Sequence, residues 1–147
     1  MVTGVPLLGW ARPVPVDMYR MTKSQIMFVG IAGPVANLLA AGVFSFVFYF
    51  IKTTNLYFVG SERLFFFGIV INIYLAVFNM IPIPPLDGSR VLSGFLPSRW
   101  AYYYNRVLEQ YGFFIILALI YTGLLGAILS PAVNVLIKLF MPTHGFI

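Results

Sequence analysis

Between Asn79 and Gly88 an apolar run stops at three prolines, Pro82, Pro84 and Pro85, and an acid, Asp87, follows directly behind them. Proline has no N–H to donate and its ring collides with the preceding turn, so residues 82–85 are excluded from ordinary α-helix. Apolar sequence flanks the interruption, Leu64 to Ile81 before it and Val91 to Leu96 after it. Unwound backbone near bilayer depth is tolerated only where protein buries it or where it lines a wet cavity. A carboxylate at that depth costs about 2.5–3.5 kcal/mol on insertion scales, so it is paired, metal-bound or turned towards water.

Composition explains why membrane rules apply. The 147 residues are 61% hydrophobic and 9% charged, against roughly 45–50% and about 25% in soluble domains. A globule of this size cannot hide that much apolar surface, so the chain is an integral membrane protein with the lipid bilayer as its first partner. Cysteine is absent and the one histidine, His144, lies in the C-terminal tail. Thiolate sites, disulfides and a histidine-only metal site are thereby excluded. The net charge of +5 suits loops against anionic lipid, and no nucleic-acid partner is expected. Pro6, Gly9 and Pro13 break the N-terminal apolar stretch, which no basic residue precedes, so it is not a signal peptide.

The pattern predicts one all-α, multi-pass membrane domain over residues 1–147. Residues 1–25 carry prolines at 6, 13 and 15 and read as an extended or interfacial segment, or as an irregular tail. Ile26 to Ile51 contains no charge and is long enough to span a core of about 30 Å. Its small and polar residues Gly30, Gly33, Asn37 and Ala40/Ala41 recur at three and four. That spacing makes one face on which another helix can approach closely. Pro34 in the same face frees the Gly30 carbonyl. Asn37 could bond across a helix interface or reach into a cavity.

Leu64 to Ile81 is the second predicted span, with Gly68, Asn72, Ala76 and Asn79 as its inward face. Residues 82–100 should hold the broken segment and an amphipathic helix. Trp100 and Tyr102 to Tyr104, beside Arg99 and Arg106, have the composition of headgroup anchors. Tyr111 to Leu129 is the third predicted span, closed by Ser130-Pro131, with Gly123 and Gly126 suited to close packing. Ala132 to Met141 follows as a short apolar helix or interfacial segment. Three spans place Arg12, Arg20, Lys23, Arg90, Arg99 and Arg106 on one side and Lys52, Arg63 and Lys138 on the other. The positive-inside rule then puts the N-terminus and the Asp87 end in the cytoplasm.

On these grounds Asp87 has three readings: an N-cap for the helix after the turn, a proton site, or a metal ligand. A resemblance bears on the choice. Asn79 to Gly88 resembles the Asn-x-x-Pro-x-Pro-x-x-Asp-Gly signature of the site-2 protease family of intramembrane zinc metalloproteases (peptidase M50). Gly9 to Val16 resembles the family's Gly-Trp-Ala-(Lys/Arg)-Pro-Val-Pro-Val stretch, and Ala32 to Asn37 its Ala-Gly-Pro-x-Ala-Asn helix start. The three stand in family order across most of residues 9–97.

The resemblance implies a prokaryotic plasma-membrane protease acting on a transmembrane protein substrate. Asp87 would be the third Zn2+ ligand, beside two histidines of a His-Glu-x-x-His helix whose glutamate is the general base. It also implies an oxyanion or orienting role for Asn37, bracing of the unwound segment by Asn79, and substrate presentation by the extended N-terminal stretch. Gly33, Pro34, Pro82, Pro84, Pro85 and Gly88 would be the structural residues around the site. No His-Glu-x-x-His occurs in the chain; in the family it precedes the Gly-Trp-Ala stretch, so a truncated start is expected. One zinc ligand without a general base should neither hold zinc tightly nor hydrolyse peptides alone. The competing class is a non-enzymatic scaffold or a small transporter-like protein using Asp87 as a cation or proton site. A histidine-bearing helix encoded upstream would discriminate the two.

Overall fold

The capping box at Thr22 and Gln25 decides where the first helix begins. The Thr22 N–H donates to Gln25 Oε1 (2.8 Å) and the Gln25 N–H to Thr22 Oγ1 (3.3 Å), which satisfies two otherwise orphaned donors reciprocally. The computed structural model describes residues 21–54 and 61–141. The extended stretch expected within residues 1–25 lies mostly outside them. From the box, α1 runs Lys23–Thr54 with Pro34 inside it, and Lys52 in its last turn faces the negative end of the helix dipole. It overruns the predicted Ile26–Ile51 span by about one turn at each end.

The second helix, α2, is Ser61–Asn79, and it stops where the proline segment begins. The N–H of Met80 bonds back to the Ala76 and Val77 carbonyls and that of Ile81 to Phe78. Pro82 then has no N–H with which to continue. After the turn come α3 (Asp87–Phe95) and α4 (Ser98–Tyr121), with Pro97 at the N-cap of α4, and then α5 (Leu124–Phe140). Among the described residues there is no strand.

The expected third span over 111–129 is two helices instead. Thr122 and Gly123 interrupt it, and α4 and α5 meet at 82°. Gly123 takes φ 73°, a left-handed conformation that costs any residue with a Cβ about 1–2 kcal/mol. Ser130-Pro131 closes nothing, because Pro131 lies inside α5, and the segment expected from Ala132 is the continuation of that helix. Nor do the two glycines pack closely: a methyl built on Gly123 or Gly126 meets nothing within 4 Å. Among the described residues two helices, α1 and Glu62–Asn79 of α2, are long and apolar enough to cross a membrane, with a third span if the bent pair is one.

α1 packs against both α2 and α3, and α5 completes the bundle against α2. The core between α1, α2 and α5 is Ala41, Phe48, Ile69, Ile73, Leu129 and Val133, closed by Met141. The buried stripe of α2 is thus Ile69, Ile73 and Ala76; of the predicted row Ala76 belongs to it and Gly68 packs on Phe44 of α1, while Asn72 is only half-buried. The Asn72 amide turns back to the Gly68 carbonyl of its own helix (2.8 Å). That bond satisfies the side chain without a partner across the bundle. Large apolar residues such as Phe28 and Phe46 remain 74% and 72% exposed. An exterior of that kind is soluble only in lipid.

Candidate functional site around Asp87

The backbone between α2 and α3 accounts for its own donors. Ile83 N–H reaches the Ile81 carbonyl (2.8 Å) and Leu86 N–H the Ile83 carbonyl (3.0 Å), while the three prolines have none to place. The Pro84-Pro85 bond is cis. Pro84 is buried, and Pro82 and Pro85 are exposed. The turn brings Gly88 so close to the Met80 carbonyl that a methyl on Gly88 would overlap it.

Asp87 is the first residue of α3, and Leu86, in extended conformation, is its N-cap with no side-chain cap bond. The capping role open to Asp87 is therefore not the one its carboxylate plays here. Oδ1 lies 3.1 Å from Nη1 of Arg90, one turn along α3, in a partly exposed pair. Oδ2 faces α1, where a methyl on Gly33 would stand 2.6 Å from it. The neighbouring Gly30 is equally constrained, with a methyl 2.9 Å from the Asp87 carbonyl oxygen and 3.0 Å from Arg90 Cβ. Small residues on α1 thus let the α3 backbone approach and leave room for one carboxylate oxygen. At the far end of α3, Lys23 Nζ donates to the Leu96 carbonyl (2.8 Å), placing a cation at the helix C-terminus.

The two glycines predict different outcomes. Gly30→Ala pushes against backbone and should cost about 1–3 kcal/mol of stability. Gly33→Ala meets only the end of a side chain that can rotate away, so it should cost about 1 kcal/mol or less while displacing the carboxylate. Thermal unfolding in mild detergent separates the two, and equal losses would refute the distinction.

The remaining expected site residues are placed as follows. Pro34 is buried, and Asn37 is half-buried four residues after Gly33, hence on the same side of α1. Asn79 is half-buried at the last turn of α2. Three further residues join the site that the sequence reading did not include. Arg90 was within reach of it, since a cation three residues after an acid on a helix is a neighbour. Tyr104, whose hydroxyl donates to the Pro82 carbonyl (2.5 Å), and Gly112, against the Pro84 carbonyl, have no local signal.

As a metal site the cluster is incomplete. Among the described residues no group of three His, Cys, Asp or Glu side chains comes together. Asp87 suits a single carboxylate ligand, one oxygen held by Arg90 and the other presented across Gly33. The grooves of about 550 and 500 Å³ lie elsewhere, between α1 and α5 around Gly42, Phe46 and Phe140. Neither reaches Asp87.

The family model for peptidase family M50 matches residues 3–122, a stretch that contains both the α1 glycines and the proline turn. The chain belongs to peptidase family M50, the site-2 protease family. This M50 chain is 35% identical to the candidate zinc metalloprotease YwhC of Bacillus subtilis over 143 residues, covering 90% of this chain and 65% of YwhC. It is 42% identical over 92 residues to the candidate zinc metalloprotease MJ0611 of Methanocaldococcus jannaschii, covering 60% of this chain and 45% of that protein. The chain therefore spans somewhat under two thirds, and under half, of these relatives' lengths. No solved structure matches it significantly.

Proposed function

We propose that this M50 chain is the aspartate-bearing part of an intramembrane zinc metalloendopeptidase that cleaves transmembrane substrates, with Asp87 as one zinc ligand. The observation that carries the reading is the Asp87 carboxylate itself. It stands directly behind a proline-broken backbone with one oxygen fixed by Arg90 and the other turned onto the bare face of Gly33. The other ligands and the general base would come from sequence outside these 147 residues. When bound, zinc supplies a Lewis acid and a water whose pKa falls towards about 7.

The chain's own residues do the positioning. Gly30 and Gly33 seat α3 on α1, and the turn at 80–86 ends α2 beside the carboxylate. Asn37, on the Gly33 side of α1, is the proposed orienting or oxyanion-stabilising amide, and Asn79 is the proposed brace of the turn. Hydrolysis inside a bilayer needs a wet pocket and a locally unwound substrate, because a helical peptide bond is shielded by its own turn. Non-helical backbone lining such a pocket is the arrangement membrane proteins tolerate. The proposed orientation has the Asp87 end cytoplasmic, following the cation asymmetry of the loops.

The deciding experiment expresses the chain with its adjoining coding sequence beside a single-span reporter. The expected result is cleavage within the reporter's span, blocked by a zinc chelator and restored by zinc. A zinc-loaded protein that leaves every single-span reporter intact would overturn the protease reading. Asp87-dependent proton or cation flux into vesicles would favour the transporter-like alternative.

A further inference from the structure

The proline turn leaves four carbonyls that its own amides do not reach, those of Met80, Pro82, Pro84 and Pro85, and α4 meets two of them. Among the backbone bonds of residues 80–86, Ile81 O accepts from Ile83, Ile83 O from Leu86, and Leu86 O from both the N–H and the hydroxyl of Ser89. Pro82 O and Pro84 O accept none of these bonds. Both are met by one helix from outside, α4. The Tyr104 hydroxyl donates to Pro82 O (2.5 Å), and the Cα of Gly112 lies so close to Pro84 O that a methyl there would overlap it. Tyr104 and Gly112 are eight residues apart, just over two helical turns, so they lie near one face of α4. Gly112 is also one of two residues of the 24-residue α4 that are buried. A second tie runs from the same helix to α3, where the Ser93 hydroxyl donates to Asn105 Oδ1 (2.7 Å).

We infer that α4 is a splint for the proline turn and that Tyr104 is a positioning residue for Asp87. The carbonyls of an unwound segment need donors wherever water does not supply them, and without one each costs free energy comparable to a lost hydrogen bond; the bond from Tyr104 to Pro82 lies at the exposed edge of the turn. Tyr104 supplies that donor at Pro82, and Gly112 lets the helix close onto Pro84. Between them the path from the end of α2 to the start of α3 is held by α4. The Asp87 carboxylate is then set by two helices, α1 through Gly33 and α4 through the turn. The positioning claim rests on the zinc-ligand reading of Asp87, whereas the splint itself does not.

The test has two arms, and the first uses the chain as it stands. In detergent, hydrogen exchange is followed at the Ile83 and Leu86 amides in wild type, Tyr104→Phe and Gly112→Ala. Loss of one hydrogen bond should accelerate exchange at the turn about tenfold in Tyr104→Phe, with the α1 and α2 amides unchanged. Gly112→Ala should do the same through steric separation, even if Tyr104→Phe proves too mild. Unchanged exchange in both variants, or equal acceleration throughout the molecule, overturns the splint.

The second arm titrates zinc into the chain expressed with its adjoining coding sequence. Tyr104→Phe should weaken zinc binding about tenfold at unchanged stoichiometry, the scale seen when an outer partner of a metal ligand is removed. Wild-type affinity in Tyr104→Phe, alongside loss of zinc in Asp87→Ala, overturns the positioning role alone. Full zinc in Asp87→Ala overturns the ligand reading instead, and the exchange arm still decides the splint.

Discussion

Asp87→Ala is expected to leave the helices standing and to remove bound zinc from the chain expressed with its adjoining sequence. The carboxylate is not the N-cap, which is Leu86, and as an acid in the first turn of α3 it contributes only a small dipole term. Among the described residues its ion pair is a single contact to Arg90 in a partly exposed setting. Pairs of that kind are worth about 1 kcal/mol or less, so the thermal midpoint should move little. On the proposed reading Asp87 is one of three protein ligands, and a zinc site that loses one of three loses most of its affinity. The measurement is zinc per chain after dialysis, set beside helical content and thermal midpoint. Equal zinc in wild type and variant would remove Asp87 from the ligand set. A collapse of the fold would show instead that the carboxylate is architectural.

Gly88→Ala is expected to be far more damaging to the fold than its size suggests. The added methyl would overlap the Met80 carbonyl carbon and oxygen and would stand 2.6 Å from the Ile81 carbonyl oxygen. All three atoms are backbone, fixed by the last turn of α2 and by the prolines, so no rotamer change makes room. Overpacking of well-packed sites costs about 1–3 kcal/mol and occasionally more, and this site belongs at the upper end, about 3 kcal/mol. Gly126→Ala is the control, because a methyl there meets nothing and alanine is the better helix former by about 1 kcal/mol. Thermal unfolding of the two variants should therefore diverge in sign. Similar midpoints would mean that the turn between Met80 and Gly88 is looser than its geometry.

The local elements were legible because their causes are local. A charge-free run, a proline cluster and an aspartate-glycine pair state their own consequences. The first two helices, the interruption after the second and the start of α3 at Asp87 accordingly fall close to where residue chemistry places them. The glycine row of α1 was legible for the same reason, as Gly30 and Gly33 share a face at helical spacing. The kink near residue 122 was not. A glycine inside an apolar run can pack against a neighbour or turn the chain left-handed, and the choice depends on what stands opposite. Nothing stands opposite Gly123, so it turns.

The inward face of α2 was legible in part, since Ala76 is buried and Gly68 packs on Phe44 of α1. Asn72 had an acceptor available on its own helix, and Ile69 and Ile73 took the core once α5 had packed there. By itself, then, the sequence determined that this chain lives in lipid, where its backbone must break, and which acid stands behind the break, since each follows from hydrophobicity or from proline's missing donor. Only the tertiary structure decided what holds that acid and its turn. Gly33 faces Asp87 across more than fifty residues of chain, and Tyr104 reaches Pro82 across twenty-two. Such pairings are set by how helices pack, which no local pattern of residues encodes.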